Sequence, residues 1–157
     1  MLQRIPAPLY RAGLRFAHAV RKRWWKLRRP QLIGCRVVAL DNNGHVLLVR
    51  HSYGSGRWSL PGGGVGGTED PMTAALRELR KETGCTLAGA REVTIVAERL
   101  SGARNRLHIV AGRASGELQP DGREVIEAQF FPRDALPGDI VSGLGGHIPA
   151  WVERYAG

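Results

Sequence analysis

The amino-acid sequence predicts an α+β fold in which a mixed β-sheet lies between α-helices. Several short segments rich in β-branched residues stand before and after one amphipathic helical segment, and a second helical segment closes the chain. Strands on both sides of a helix favour a sheet covered by helices. The chain has 157 residues, of which 43% are hydrophobic, so we expect one globular domain over residues 31–157 and a basic N-terminal arm over residues 1–30.

The arm is set apart by its charge. Residues 1–30 contain nine of the 23 Lys and Arg residues and no Asp or Glu. Residues 31–157 contain the other fourteen basic residues and all fourteen acidic ones, so the net charge of +9 belongs to the arm. Whole-chain charge is therefore a poor argument for a nucleic acid partner, and we do not expect one.

Residues 9–29 are predicted to form an amphipathic helix that Pro30 ends. Its apolar stripe allows three interpretations. We favour packing of the stripe on the domain or on a second subunit as a homodimer. The alternatives are an anionic membrane surface and the phosphates of a nucleic acid. The stripe consists of Leu9, Gly13, Phe16, Val20, Trp24 and Leu27, and the opposite face of Arg11, Arg15, His18, Lys22, Lys26 and Arg29.

The first strands are predicted over residues 31–40 and 45–51, joined by a turn with the hairpin dipeptide Asn43-Gly44. A short strand over 58–60 follows the loop 52–57. Later strands are predicted over 92–100, 106–114 and 124–131, with 101–105 as a hairpin loop, 132–136 as one helical turn and 147–155 as the last helix.

Two cysteines, Cys35 and Cys85, stand in apolar contexts without metal-ligand spacing. We expect both to be buried free thiols, which fits a reducing cytoplasm. No apolar run is long enough to span a bilayer. The predicted location is therefore cytoplasmic, with peripheral attachment to a membrane through the arm as an option.

The most informative stretch is a glycine-rich loop that leads into a helix. Pro71 in the first turn and Gly84 after the last predict a helix that begins at Asp70 or Pro71 and ends at Thr83. Glu78 and Glu82 are four residues apart and share one face of it. Singly, such residues usually belong to a solvated helix face. Together with Gly62, Gly63 and Gly64, whose backbone can approach a ligand closely, they suit Mg²⁺ or Mn²⁺ and phosphate.

The spacing of this stretch, Gly63 to Cys85, resembles the signature box of the Nudix hydrolases. Eight of the nine fixed positions of that box match, and Lys81 stands where the ninth has Glu. The matching residues are Gly63, Glu69, Arg77, Glu78, Leu79, Glu82, Gly84 and Cys85.

The resemblance implies a Nudix fold and metal-dependent hydrolysis of the diphosphate linkage in a nucleoside diphosphate derivative. It implies that Glu82 is the primary metal ligand and that Glu78 is a second ligand or the base that activates water. Arg77 and Glu69 would form an ion pair that orients the helix. Further metal ligands would be the Gly63 carbonyl and Glu124, with Glu127 as the alternative to Glu124.

Lys81 cannot ligate a metal while charged, because an ammonium group has no lone pair. Our hypothesis is that it replaces a lost cation at the pyrophosphate of the substrate. Arg50, Arg57 and Trp58 are further candidates for substrate binding, Trp58 by stacking on a base or else as a core residue. The competing interpretations are a nucleotide-binding domain with weakened catalysis, or a module that binds membrane or RNA through the arm.

Overall fold

The computed structural model describes residues 5–28 and 31–157. This part of the chain forms three helices and seven strands. The helices are α1 (Ala7–Arg28), α2 (Pro71–Thr83) and α3 (Leu144–Ala156). The strands are β1 (Gln31–Leu40), β2 (Val46–His51), β3 (Trp58–Ser59), β4 (Gly62–Gly64), β5 (Thr86–Leu100), β6 (Ala103–Ser115) and β7 (Val125–Phe131).

The strands form one mixed sheet, as predicted. Its main path runs β3-β2-β1-β6-β5, with β4 paired to β1 and β7 paired to β2. β1 and β6 are parallel over their registered length, from Gln31 opposite Arg104 to Leu40 opposite Arg113. The other pairings are antiparallel. A parallel pair needs a crossover connection, and the segment that contains β4, α2 and β5 belongs to it.

Helices cover both faces of the sheet, which confirms the predicted layers. Successive residues of a central strand point to opposite faces, so Val37 packs in the layer under α2 and Val38 in the layer under α3. Leu47 and Leu48 of β2 divide in the same way. Burial on both faces explains why these strands are continuous apolar runs rather than alternating ones.

Helix α2 has the predicted bounds, and its caps explain them. The Asp70 side chain accepts a hydrogen bond from the Thr73 N–H at 3.0 Å, and Pro71 occupies the first turn. At the other end Gly84 has a φ of 77°, and its N–H donates to the Arg80 carbonyl at 2.9 Å. The helix buries Leu79 and its neighbours against the sheet, which places Glu78 and Glu82 at the rim of that core.

Helix α1 lies on the domain with its polar face, so the first part of our favoured prediction, packing of the apolar stripe on the domain, is wrong, and its packing on a second subunit stays a prediction. Arg11 Nε donates to the Gly122 carbonyl at 2.9 Å, and Arg15 Nε donates to the Ser52 carbonyl at 2.9 Å. Loop carbonyls and Glu124, which Tyr10 Oη reaches at 3.4 Å, offer acceptors that only a polar face can use. The stripe therefore faces outward.

The start of α1 also differs from the prediction, because Pro8 is accommodated within its first turn. The predicted end at Pro30, and Arg29 with it, lies outside the described residues. Within residues 5–28 and 31–157, none of the helices combines the length and apolarity that crossing a membrane requires.

Several other strands and helices have bounds that differ from the predicted ones, because strand pairing outweighs the local composition of the sequence. β5 begins at Thr86 instead of residue 92, because it pairs with β6 along its length through two irregularities in register. The hairpin between them is only Ser101-Gly102, with both residues at positive φ. The glycines of β4 pair with β1 as a strand. Residues 132–136 contain no helix, and α3 begins at Leu144.

Candidate active site

A cavity of about 260 Å³ lies where α1, β4, α2 and the residue before β7 meet. α1 forms one wall, the glycine strand a second, and the carboxylate face of α2 a third. The lining residues are Leu14, His18, Arg21, Tyr53, Gly62, Gly63, Gly64, Glu78, Lys81 and Glu124.

The glycines of β4 allow the backbone to lie against the carboxylates. A Cβ on Gly62, which has a φ of 153°, would lie 2.1 Å from the Cys35 carbonyl oxygen. A Cβ on Gly63 would lie 2.9 Å from the carboxyl carbon of Glu78. A side chain at either position would displace the strand or the carboxylate, so the site needs glycine at both.

Glu82 is buried and held at both carboxylate oxygens. Its Oε2 accepts the Gly62 N–H at 3.1 Å, and its Oε1 lies 2.9 Å from Nε2 of His51. Only 1% of the residue is exposed. A buried carboxylate needs such partners, because burying its charge without hydrogen bonds costs on the order of several kcal/mol. These contacts fix the direction of Glu82 relative to the glycine strand.

Glu78 is oriented by the ion pair that the resemblance implied. Arg77 donates to Glu69 at two points, Nε to Oε1 at 2.8 Å and Nη2 to Oε2 at 3.0 Å, and a third donor, Nη1, contacts Oε1 of Glu78. The hydrogen bond from Arg77, followed by one from the Gly66 N–H, lowers the pKa of Glu69. The same bond to Glu69 and a second to Glu78 raise the pKa of Arg77. Both partners are therefore charged at neutral pH.

Lys81 bridges two carboxylates across the cavity. Its Nζ lies 3.1 Å from Glu124 and 3.9 Å from Oε2 of Glu78. Burial alone would lower the pKa of Lys81, but the hydrogen bond to Glu124 and the charges of Glu78 and Glu82 outweigh it, so the net direction is upward. The position that carries a carboxylate in the signature box thus carries a positive charge.

Glu124, rather than Glu127, lines the cavity. Glu127 lies within β7, and its Oε2 is instead 3.3 Å from Nε of Arg50. The preference for Glu124 over Glu127 in the sequence is therefore consistent with where the two side chains lie.

Trp58 and Arg50 do not reach the cavity, which corrects two of the substrate-binding candidates. Trp58 is 6% exposed and packs edge-to-face on Phe131, with centroids 4.9 Å apart. Arg50 covers the Trp58 ring at 4.7 Å, and its Nη2 donates to Asp139 at 2.6 Å. The reason is that β3 pairs with β2, which turns Trp58 into the layer under α3.

A second cavity of about 300 Å³ shares the three glycines with the first and is more apolar. Arg57 lines it, as do residues that the sequence did not single out. Its lining includes His18, Trp25, Leu32, Tyr53 and Leu107.

Tyr53 and His18 are the main site residues that sequence reasoning missed. Their rings are 5.3 Å apart, and the rings of Tyr53 and His51 are 5.0 Å apart. Burial and then the charge of Glu82 raise the pKa of Tyr53 to about 12. The basic face of α1 was visible in the sequence, but nothing in the sequence placed that face over the glycine strand.

The family model of the NUDIX domain matches residues 30–150, which is most of the chain. The chain belongs to the Nudix family. Helix α1 lies before the matched region, so the wall that it adds to the cavity comes from outside the part that the family model describes.

Related Nudix sequences resemble this chain over part of their own length. The NAD-capped RNA hydrolase NudC of Vibrio vulnificus is 29% identical over 112 residues, which is 71% of this chain and 42% of that protein. The ADP-ribose pyrophosphatase of Mycobacterium tuberculosis is 47% identical over 53 residues, 31% of this chain and 25% of that protein. The chain therefore spans less than half of the length of these relatives.

Solved Nudix structures share the fold. A MutT NUDIX hydrolase from Burkholderia pseudomallei superimposes with a TM-score of 0.67 at 23% identity, covering 79% of this chain and 97% of that one. An ADP-ribose pyrophosphatase from Streptococcus suis gives 0.61 at 22% identity, covering 80% and 92%. At these identities the likeness confirms the mixed sheet with flanking helices.

The oxygen donors of the Nudix box, together with Glu124 outside it, suit a hard divalent cation in their chemistry. Glu78, Glu82 and Glu124 offer carboxylate oxygens, and the Gly63 backbone lies where a Cβ would meet Glu78. In residues 5–28 and 31–157, however, no three acidic, histidine or cysteine side chains converge closely enough to hold an ion. Lys81 lies between Glu78 and Glu124, and His51 contacts Glu82, so an ion held by all three carboxylates would require Lys81 to move away from Glu124.

Proposed function

We propose that this chain hydrolyses the diphosphate linkage of a nucleoside diphosphate derivative with the help of bound Mg²⁺ or Mn²⁺. One observation carries the proposal. Glu78, Glu124 and Lys81 face the glycine strand across a single cavity of about 260 Å³. Carboxylates next to one cation and close-lying backbone are the combination that phosphate chemistry requires.

In this proposal Glu78, Glu82 and the Gly63 carbonyl hold the ion, and Glu124 is a further ligand. When bound, such an ion would neutralise negative charge on the phosphates and lower the pKa of a water molecule. Glu78 would either ligate the ion or act as the base toward the attacking water. The contact of Arg77 with both Glu69 and Glu78 supports an orienting role, because it fixes the carboxylate next to the glycine strand. Arg77 and Glu69 thereby act through Glu78.

Lys81 is proposed to bind the pyrophosphate of the substrate. It is the cation of α2 that faces the cavity, and its carboxylate partners keep it charged. Once Glu124 ligates the ion, Lys81 would lose this partner, and the three N–H donors of its ammonium group would be available to a phosphate oxygen.

The second cavity is proposed to hold the part of the substrate beyond the diphosphate. It adjoins the first at Gly62–Gly64 and offers the rings of Tyr53 and Trp25 together with Arg57. The relatives' names mention NAD-capped RNA and ADP-ribose, and both compounds contain an adenosine joined through a diphosphate. This supports a substrate with an aromatic base on one side of the linkage.

A nucleotide-binding domain with weakened catalysis is the second candidate. The observation that favours it is the salt bridge of Lys81 with Glu124, which neutralises one carboxylate of the set. A cytoplasmic location remains a prediction that rests on the buried free thiols Cys35 and Cys85.

A substrate panel separates the two candidates. The purified chain is incubated with ADP-ribose, NAD, NAD-capped RNA and nucleoside triphosphates, each with Mg²⁺, with Mn²⁺ or with a chelator, and products are separated by chromatography. We expect metal-dependent cleavage of at least one diphosphate-linked compound, with loss of about 10²-fold or more in the Glu82→Gln variant. Binding of a nucleotide without cleavage of any compound would contradict the proposal and support the binding domain.

A further inference from the structure

The outer face of α1 is an apolar surface that the domain leaves uncovered. Steps of three and four residues place its side chains in one line about 27 Å long, since a helix rises 1.5 Å per residue. The members that carry large side chains are between 51% and 84% exposed: Leu9, Phe16, Val20, Trp24 and Leu27. We call these five residues the outer stripe. Few water-soluble chains expose a continuous apolar line of this length without a partner.

The orientation of the outer stripe is fixed by contacts on the opposite side of the helix. Tyr10, Arg11 and Arg15 bond Glu124, the Gly122 carbonyl and the Ser52 carbonyl respectively. Rotating the helix to bury the stripe on the domain would break all three contacts and leave the Gly122 and Ser52 carbonyls and Glu124 facing apolar side chains. The stripe therefore faces away from the domain for the same reason that the inner face is polar.

Arg23 and Arg28 lie at the two edges of the outer stripe, whereas Lys22 and Lys26 lie on the opposite side of α1, next to the domain. α1 contains seven Lys and Arg residues and no acidic one. Lys22, Arg23, Lys26 and Arg28 are exposed. Over residues 5–28 and 31–157, none of these four forms a salt bridge with a carboxylate.

We propose that the outer stripe, flanked by Arg23 and Arg28, binds an anionic phospholipid surface, with α1 lying in the interface plane. A helix with an apolar face, basic flanks and a tryptophan at the boundary is the form that interfacial helices take. Each cation near an anionic leaflet contributes a favourable term, and long Lys and Arg side chains reach the headgroups while their stems stay apolar.

Charge argues for lipid rather than for a second copy of this chain. Two copies packed through the outer stripe would bring fourteen positive charges together, seven from each helix, with no acidic residue on either helix. Packed helices lie about 8–10 Å apart, which is close to the Debye length at physiological salt, so this repulsion is only partly screened. Anionic lipid supplies the complementary charge.

This arrangement places the catalytic cavity next to the membrane. His18 and Arg21 line the cavity from the inner face of the same helix whose outer face carries the stripe. The lipid-bound chain therefore has α1 between the bilayer and the cavity. The inference does not depend on hydrolysis, since the outer stripe and the cavity lie on different faces of α1.

Vesicle pelleting tests the inference with variants matched in charge change. The probes are phosphatidylcholine vesicles, alone or mixed with phosphatidylglycerol. We expect pelleting with the anionic vesicles only, and release when NaCl rises from about 0.1 M to about 1 M, because the Debye length falls from ~10 Å to ~3 Å. Phe16→Glu and Trp24→Glu should each weaken binding about tenfold or more. Ile95→Glu, at an exposed position of β5, should bind as the unmodified chain does.

Three results would overturn the inference. One is the absence of pelleting with anionic vesicles while circular dichroism shows a folded chain. Another is equal weakening by Phe16→Glu and Ile95→Glu, which would mean that charge alone matters. The last is evidence of a different binding partner on the outer stripe, namely a second copy of this chain (a dimer in size-exclusion chromatography with light scattering that Phe16→Glu dissociates) or single-stranded RNA bound in place of vesicles.

Discussion

The ammonium group of Lys81 on α2 lies 3.1 Å from the carboxylate of Glu124, which immediately precedes β7. The two residues are 43 positions apart in sequence, and their contact closes one side of the cavity. A carboxylate in place of Lys81 would repel Glu124 unless a cation lay between them. Lys81 therefore offsets the negative charge of Glu78 and Glu124, the two acidic side chains that line this cavity.

Replacing Lys81 by Ala is expected to raise KM about 10- to 100-fold, because one charge-assisted hydrogen bond to a phosphate is lost. Lys81→Arg should retain most of the affinity. Arg80→Ala is the control, since Arg80 is an exposed neighbour on α2 that does not line the cavity. Steady-state kinetics on the best substrate of the panel measure the effect. Higher activity in Lys81→Glu would show instead that Lys81 is a handicap.

Replacing Gly63 by Ala is expected to lower kcat/KM about 10²-fold. The new Cβ would lie 2.9 Å from the carboxyl carbon of Glu78, so that carboxylate must move, and small displacements of catalytic groups have effects of this size. Gly64→Ala is the matched control, because a Cβ there meets nothing within 4 Å. Melting temperatures should show both variants folded. Equal kinetics in the two variants would exclude a requirement for glycine at position 63.

Trp58 is expected to act as a core residue, and Tyr53, instead of Trp58, is expected to contact the substrate with its ring. Trp58→Leu should leave KM within about twofold while lowering the free energy of unfolding by about 1–3 kcal/mol, because the ring fills the core. Tyr53→Leu should raise KM several-fold, as expected for a lost aromatic contact of about 0.5–1.5 kcal/mol. Urea unfolding and kinetics measure the two effects. A large rise in KM for Trp58→Leu would restore the stacking role.

Low pH is expected to loosen α1. Burial, then the charges of Lys22 and Arg21, lowers the pKa of His18 below its ordinary value of 6.5. Tyr53 and His51 are the ring groups that face His18 from the domain, and Glu78, Lys81 and Glu124 line the same cavity as His18. A histidine whose pKa is lower when docked binds its proton more readily when undocked. Docking is therefore strongest above pH 6.5 and weakens as the pH falls through that value.

Hydrogen exchange of the α1 peptides at pH 7.5 and pH 5.5, corrected for intrinsic rates, measures this change. His18→Gln keeps a polar side chain that does not titrate, so its α1 should show no such difference between the two pH values. Exchange that rises equally in the unmodified chain and in His18→Gln would assign the effect to another group.

Local signals in the sequence predicted α2 well, because both ends of that helix are set by its own residues, Asp70 with Pro71 and Gly84. The resemblance to the Nudix family, and no local signal, singled out Glu124, which lines the cavity. The orientation of α1 could not be predicted, since an amphipathic pattern shows that two faces differ and not which one meets the domain. The acceptors that decide it, such as the Gly122 and Ser52 carbonyls, lie in loops distant in sequence.

Among the strands, too, some features are set by local sequence and others by distant contacts. The apolar runs of β1 and β2 predicted buried strands, whereas β5 is largely exposed and exists because β6 offers it a partner. Trp58 was ambiguous for a related reason. Its side chain direction depends on the pairing of β3 with β2, which two residues of strand do not specify.

The parallel pairing of β1 with β6 has a consequence for how the chain folds. Gln31 lies opposite Arg104, so closing this pair brings together residues 73 positions apart, which is 104 minus 31. α2 and β4 lie inside the closed segment. Contacts of such long sequence separation slow folding, because chain entropy is lost before they form. We therefore expect the carboxylates of α2 to meet Glu124 only in the late steps of folding, after the helix itself is complete.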